Sequence, residues 1–134
     1  MITALLGKKL SMTQFWDSAG ICHAVTVIET GPCQIVQVKT ADGKDGYDAV
    51  QIGFDEFKVR NEGKGDSRAN KPTNGHFKKH DAIPQRIVRE VPAADPKSPP
   101  APGTTVKVDE VFKDGEKVDV IGTSKGRGFQ GTVK

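Results

Sequence analysis

The 134-residue sequence holds only two cysteines, Cys22 and Cys33, too few for a multi-disulfide scaffold and suited to a reducing, cytoplasmic setting. No apolar run approaches the roughly eighteen residues a membrane-crossing helix requires. The opening stretch, MITALLGKKLSMTQF, puts its short apolar piece ahead of its lysines, the reverse of a secretory signal. Aromatic residues make up only 6% of the chain, with one tryptophan and one tyrosine, which weighs against rows of stacking platforms for single-stranded RNA. No Gly-Lys-Ser/Thr tripeptide occurs, so there is no P-loop, and no Gly-x-Ser-x-Gly occurs, so there is no nucleophile elbow. A net charge of +3 excludes little by itself.

The distribution of that charge is more informative. Residues 1–57 carry 4 basic against 7 acidic side chains, residues 58–89 carry 9 against 3, residues 90–120 carry 4 against 7, and residues 121–134 carry 3 against none. Two acidic, apolar-patterned stretches therefore alternate with two basic stretches poor in apolar residues, an asymmetry that points to a polyanionic partner. A chain of this length makes one domain, 1–134. Within it lie a basic loop at 58–82, a connection at 92–102 holding five of the 8 prolines, and a basic glycine-rich tail at 123–134.

The elements read as mainly β. Ile2–Leu6 is a short apolar strand closed by Gly7, and Ile21–Thr30 (ICHAVTVIET) is rich in β-branched residues without a helical stripe, as in a strand buried on both faces. Cys33–Lys39 follows across Thr30-Gly31-Pro32 as its expected antiparallel partner. Tyr47–Phe54, Ile87–Val91, a strand alternating through Val106 and Val108, and Lys117–Ile121 complete the set, with a short helix expected only around Asp55–Arg60. Several short strands between Gly, Asp and Pro turns suggest a barrel or sandwich.

Sites for chemistry are few. Gly126-Arg-Gly128-Phe-Gln-Gly131-Thr-Val133 matches the glycine loop of protein kinases and the shorter dinucleotide fingerprint. Both need acids and a lysine or helix downstream, and the sequence ends at Lys134. His76 and His80 stand at the helical i, i+4 spacing, but Gly75 before and Pro84 after leave little room for a helix, and Cys22 and His23 point to opposite faces of a strand. No metal, cofactor or small-molecule substrate is expected, both cysteines read as small core residues, and no acid–base pair singles out an enzyme. GTSKGRGFQGTVK is coherent as a phosphate contact instead. Its glycines let backbone amides come close, Lys125, Arg127 and Lys134 supply charge, and Thr123 and Ser124 supply hydroxyl donors.

Five segments, Gly7–Thr13 (GKKLSMT), Val25–Glu29 (VTVIE), Gly46–Gly53 (GYDAVQIG), Lys71-Pro72 with Gly75-His76-Phe77, and Val118–Lys134 (VDVIGTSKGRGFQGTVK), occur in the order seen in the large-subunit ribosomal protein 3 family. The sequence resembles the N-terminal portion of that family. The resemblance implies an antiparallel β-barrel of the translation-protein type, incomplete in this chain, and no enzymatic activity. It also implies a structural place in the cytoplasmic ribosome's large subunit, contact with large-subunit rRNA near its 3′ end, an early role in assembly, and proteins 14 and 19 of that subunit as neighbours. No membrane is implied.

Residue by residue, Lys8 and Lys9 match the family's opening basic pair, Lys71, His76 and Lys78 match its basic loop, and Lys125, Gly126, Arg127 and Gly128 match the glycine-rich start of an extension. Arg68, Lys79, Ser124 and Lys134 are added from charge and donor chemistry, with phosphate contact as the default role. Ser11 stands where the family usually has glycine, the 92–102 connection is unusually proline-rich, and the family continues beyond Lys134 into a long extension and barrel-closing strands. A free-standing RNA-binding β module, a protein-interaction barrel and a non-functional truncated fragment are the alternatives.

Overall fold

The computed structural model describes residues 2–57, 69–93 and 100–132. Among them are strands β1 (Lys8–Trp16), β2 (Cys22–Glu29), β3 (Cys33–Lys39), β4 (Ala49–Glu56), β5 (Gln85–Pro92) and β6 (Thr105–Val106), with helices α1 (Lys71–Lys79) and α2 (Val108–Val111). They form two antiparallel sheets, a β1–β2 hairpin and a four-stranded sheet of order β5-β4-β3-β6, and no closed barrel.

The four-stranded sheet is the folding centre because β3 and β4 carry apolar side chains on both faces. On one face Ile35, Val50, Ile52, Val91 and Val106 pack with Ile2, roofed by Leu5, Leu6 and Val111. On the other, Val36 meets Phe77 of α1 together with Ala82 and Val88. Gly53 lies on this second face, where a Cβ would come within 2.6 Å of Gln85 Cγ, so a bare backbone is needed for β5 to lie close. The 101–104 turn is stitched to β3 through Ile35, whose N–H donates to Thr104 O and whose carbonyl accepts from Gly103 N–H, both at 2.8 Å. Gln34 adds a side-chain clamp, accepting from Ile83 N–H at 2.8 Å and donating to Gly103 O at 3.2 Å.

Several expectations are corrected. Residues 2–6 form no strand; Ile2 is buried by side-chain packing on the sheet, and the ladder begins at Lys8. β2 is not buried on both faces, since only Val25 is half-buried, and its partner is β1 rather than Cys33–Lys39. After Thr30-Gly31-Pro32 the chain crosses to the second sheet, where β3 pairs with β4 and β6. Lys117–Ile121 is exposed and irregular, and the strand through Val106 ends there because Val108 opens α2.

The basic loop holds a helix where none was expected. Pro72 falls in the first turn, where a missing N–H costs nothing, Gly75 is tolerated inside, and docking of Phe77 supplies what propensity lacks. Asp55 and Glu56 end β4 rather than start a helix; Lys58–Arg60 of that expected helix, like residues 61–68 of the loop and 94–99 of the proline-rich connection, lie outside the described residues. Cys33 is buried as expected, its thiol donating to Leu6 O at 3.5 Å, with burial pushing the thiol up from its ordinary range. Cys22 is exposed on the hairpin, contrary to a core role.

Candidate nucleic-acid interface

The sequence of α1 sorts into an inner and an outer arc. At 100° per residue, Lys71, Gly75, Lys78 and Lys79 share the outer arc, and all four are exposed; Phe77 points inward. His76 and His80 stand on the border, both half-buried. The last turn therefore collects His76, Lys78 and Lys79, where cations complement the negative end of the helix dipole, and no acid occurs between residues 69 and 80. Such a surface presents several cations to a phosphate chain with no acid within the helix itself.

His76 is tied to the sheet by a chain of polar contacts. His76 Nε2 lies 2.8 Å from Gln51 Oε1, and Gln51 Nε2 reaches Glu90 Oε1 at 3.5 Å. Glu90 also accepts from Tyr47 OH at 2.7 Å and pairs with Lys39 at 2.9 Å, while Lys39 donates to Tyr47 OH at 2.8 Å and pairs with Asp45 at 3.3 Å. Lys39 also lies 5.0 Å from the centre of the Tyr47 ring. The Tyr47 hydroxyl and then Glu90 hold the Lys39 ammonium above its usual range, and Lys39 with Tyr47 holds the Glu90 carboxyl below its own. The His76 and His80 rings meet edge to face at 5.2 Å. Burial, with His76 and Lys79 nearby, lowers His80 below its ordinary value, against the opposite pull of Asp81.

The other expected contacts lie apart from this helix. Lys8 and Lys9 open β1 and are exposed, but Lys8 faces Glu29 across the hairpin and shares a cavity of about 210 Å³ with Glu29, Phe54, Asp55, Glu56 and Gln85. Three carboxylates against one lysine make that cavity a poor phosphate pocket. Ser124, Lys125, Gly126, Arg127 and Gly128 lie in an extended, exposed tail, with Gly128 at φ +73°, a conformation that favours glycine. Phe129 is fully exposed. Arg68 and Lys134 lie outside the described residues.

Residues Lys39, Tyr47, Gln51 and Glu90 were not singled out from sequence. Their signal was the alternation of Tyr47, Ala49 and Gln51 on one face of the β4 region, the same face that receives α1. Among the described residues no group of three or more His, Cys, Asp or Glu side chains is placed to hold a metal ion.

Fold and charge together define a β-rich module with basic appendages, built around a packed sheet. A family model described as Ribosomal protein L3 matches residues 93–134. The whole chain is 47% identical to the Large ribosomal subunit protein uL3 of Pelotomaculum thermopropionicum and 46% identical to that of Herpetosiphon aurantiacus, covering 59% and 58% of those proteins. The protein of the same name from Desulfotalea psychrophila is 46% identical over 97% of the chain and is covered to 58%. The chain is similar along all or nearly all of its length to these ribosomal uL3 proteins, and it spans a little under three fifths of the length of the curated relatives it matches.

Proposed function

We propose that the chain serves as part of a structural protein of the large ribosomal subunit in the cytoplasm, binding large-subunit rRNA near its 3′ end and helping to nucleate subunit assembly. Identity of 47% across the full chain with a named large-subunit protein is the observation that carries this reading. Two physically separate basic elements support it, the outer arc of α1 with Lys71, Lys78 and Lys79, and the exposed tail with Lys125 and Arg127. In this reading the glycines of the tail allow close backbone approach to phosphate, and the lysines position the protein rather than read bases. Proteins 14 and 19 of the subunit are the proposed neighbours. In the same reading, the remaining two fifths of the relatives' length would supply strands that close a barrel of the translation-protein type.

Salt titration of binding to a 3′ large-subunit rRNA fragment tests the proposal. If about five cations neutralise phosphates, counterion release gives a log–log slope near about −3.5 for single-strand-like RNA and steeper for duplex. A slope near zero at neutral pH overturns it.

A further inference from the structure

We propose that the His76–His80 pair makes α1 a proton-linked phosphate contact, so that RNA docking on this helix takes up a proton and tightens as pH falls from 8 to 6. The inference rests on the reading that α1 faces RNA. Its geometric basis is the position of two half-buried imidazoles, 5.2 Å apart, beside the only arc of the helix that carries lysines.

The polar chain across the sheet fixes the state of His76. Glu90, an acceptor held ionised by Lys39 and Tyr47, receives the Gln51 amide N–H, so the Gln51 oxygen is turned to His76. His76 must then donate from Nε2, which leaves Nδ1 as the basic nitrogen. A proton can be added there without breaking the bond to Gln51. Two cationic imidazoles in edge contact repel each other, and His76 is among the groups that lower His80.

The surroundings set the direction. Lys79 on the helix and Asp81 in the turn behind it act on His80, and Gln51 of β4 meets His76. On the same sheet face Glu90 is already paired with Lys39, and Asp55 with Arg86 at 3.2 Å. Among the described residues Asp81 is the carboxylate set against His80, and burial outweighs it, holding the His80 imidazole below its ordinary value in the free protein. A phosphodiester seated against Lys79 supplies the missing negative charge and raises the pair's proton affinity. Because the bound form then has the higher pKa, affinity rises as pH drops through the bound value and levels off below the free one. Each unit of difference is worth tenfold in affinity.

The test measures binding of the chain to a 3′ large-subunit rRNA fragment at fixed ionic strength between pH 8 and 6, with a salt titration at each pH. Wild type is compared with His80→Gln and His76→Gln, and calorimetry in two buffers of different ionisation heat counts protons on wild type alone, without relying on a variant. The expected result is a several-fold gain in wild-type affinity on acidification, net proton uptake, and a clearly smaller gain in both variants. An equal gain in wild type and variants with no proton uptake, alongside a steep salt slope, overturns the inference and leaves RNA binding standing. Absence of salt-dependent binding at every pH overturns the RNA reading and the inference with it.

Discussion

At Glu90 the side chains of β3, β4 and the turn before β4 converge, since its carboxylate takes Tyr47 OH at 2.7 Å, Lys39 at 2.9 Å and the Gln51 amide at 3.5 Å. Its folded-state pKa is depressed, first by Lys39 and then by Tyr47, from an ordinary 4.5. A depressed carboxyl stabilises the fold at pH values above the unfolded pKa and loses that contribution as pH falls through the folded one. Acid titration of thermal stability is therefore expected to decline below about pH 4.5, with a shallower decline in Glu90→Gln. A different single-residue outcome is expected in the tail. Lys125 and Arg127 are exposed and packed on no core, so replacing both by alanine leaves the melting temperature unchanged and weakens rRNA affinity. A large loss of melting temperature with unchanged RNA affinity would show that the tail packs as core.

At the scale of elements, α1 depends on one anchor. Phe77 is 1% exposed against Val36 and Ala82, and Phe77→Ala is expected to cost about 3–5 kcal/mol, with loss of the helical signal and of the Lys71, Lys78 and Lys79 surface together. Urea denaturation with circular dichroism measures both. Gly53→Ala is expected to destabilise by about 1–3 kcal/mol, because the new methyl meets Gln85 Cγ and Val36 rather than open space. The sequence made strands β2 to β5 legible because β-branched residues and Gly, Asp and Pro turns are local signals. It left α1 hidden, since a lysine-rich segment with one buried aromatic has no apolar stripe and is helical only through docking. It also left the pairing hidden: nothing local in ICHAVTVIET or CQIVQVK states whether they meet each other or separate partners. In Gly7–Thr13 the reading rests on the basic pair Lys8 and Lys9, while the alternation of Leu10, Met12 and Trp16 is the local signal of β1. The basic residues themselves were easy to see. Their division between a docked helix and an extended tail required the fold.

The molecule as a whole is unevenly covered. The four-stranded sheet has side chains packed on both faces, whereas the β1–β2 hairpin exposes apolar residues on both of its own. From the register, Met12 and Trp16 lie on one face with Thr26 and Cys22, and Phe15 and Val27 lie on the other with His23 and Ser11. Met12 is 65% and Trp16 63% exposed, values typical of surface polar groups rather than of strand residues facing a core. A two-stranded ribbon is marginal in water without a third strand or a covering layer, and uncovered apolar faces promote association. Residues 1–134 alone are therefore expected to self-associate at micromolar concentrations. Replacing Met12 and Trp16 by serine is expected to reduce that association without lowering the melting temperature, since neither residue belongs to the packed sheet. An rRNA fragment that binds only the native form is expected to raise the melting temperature, by the equivalent of about 2.7 kcal/mol at a hundredfold excess over its Kd. Sedimentation velocity with thermal melting, with and without RNA, measures all three. A monomer with a sharp, high transition that ignores RNA would mean that the hairpin faces are stable in water as they stand, and that they are not the part of this fold that awaits a partner.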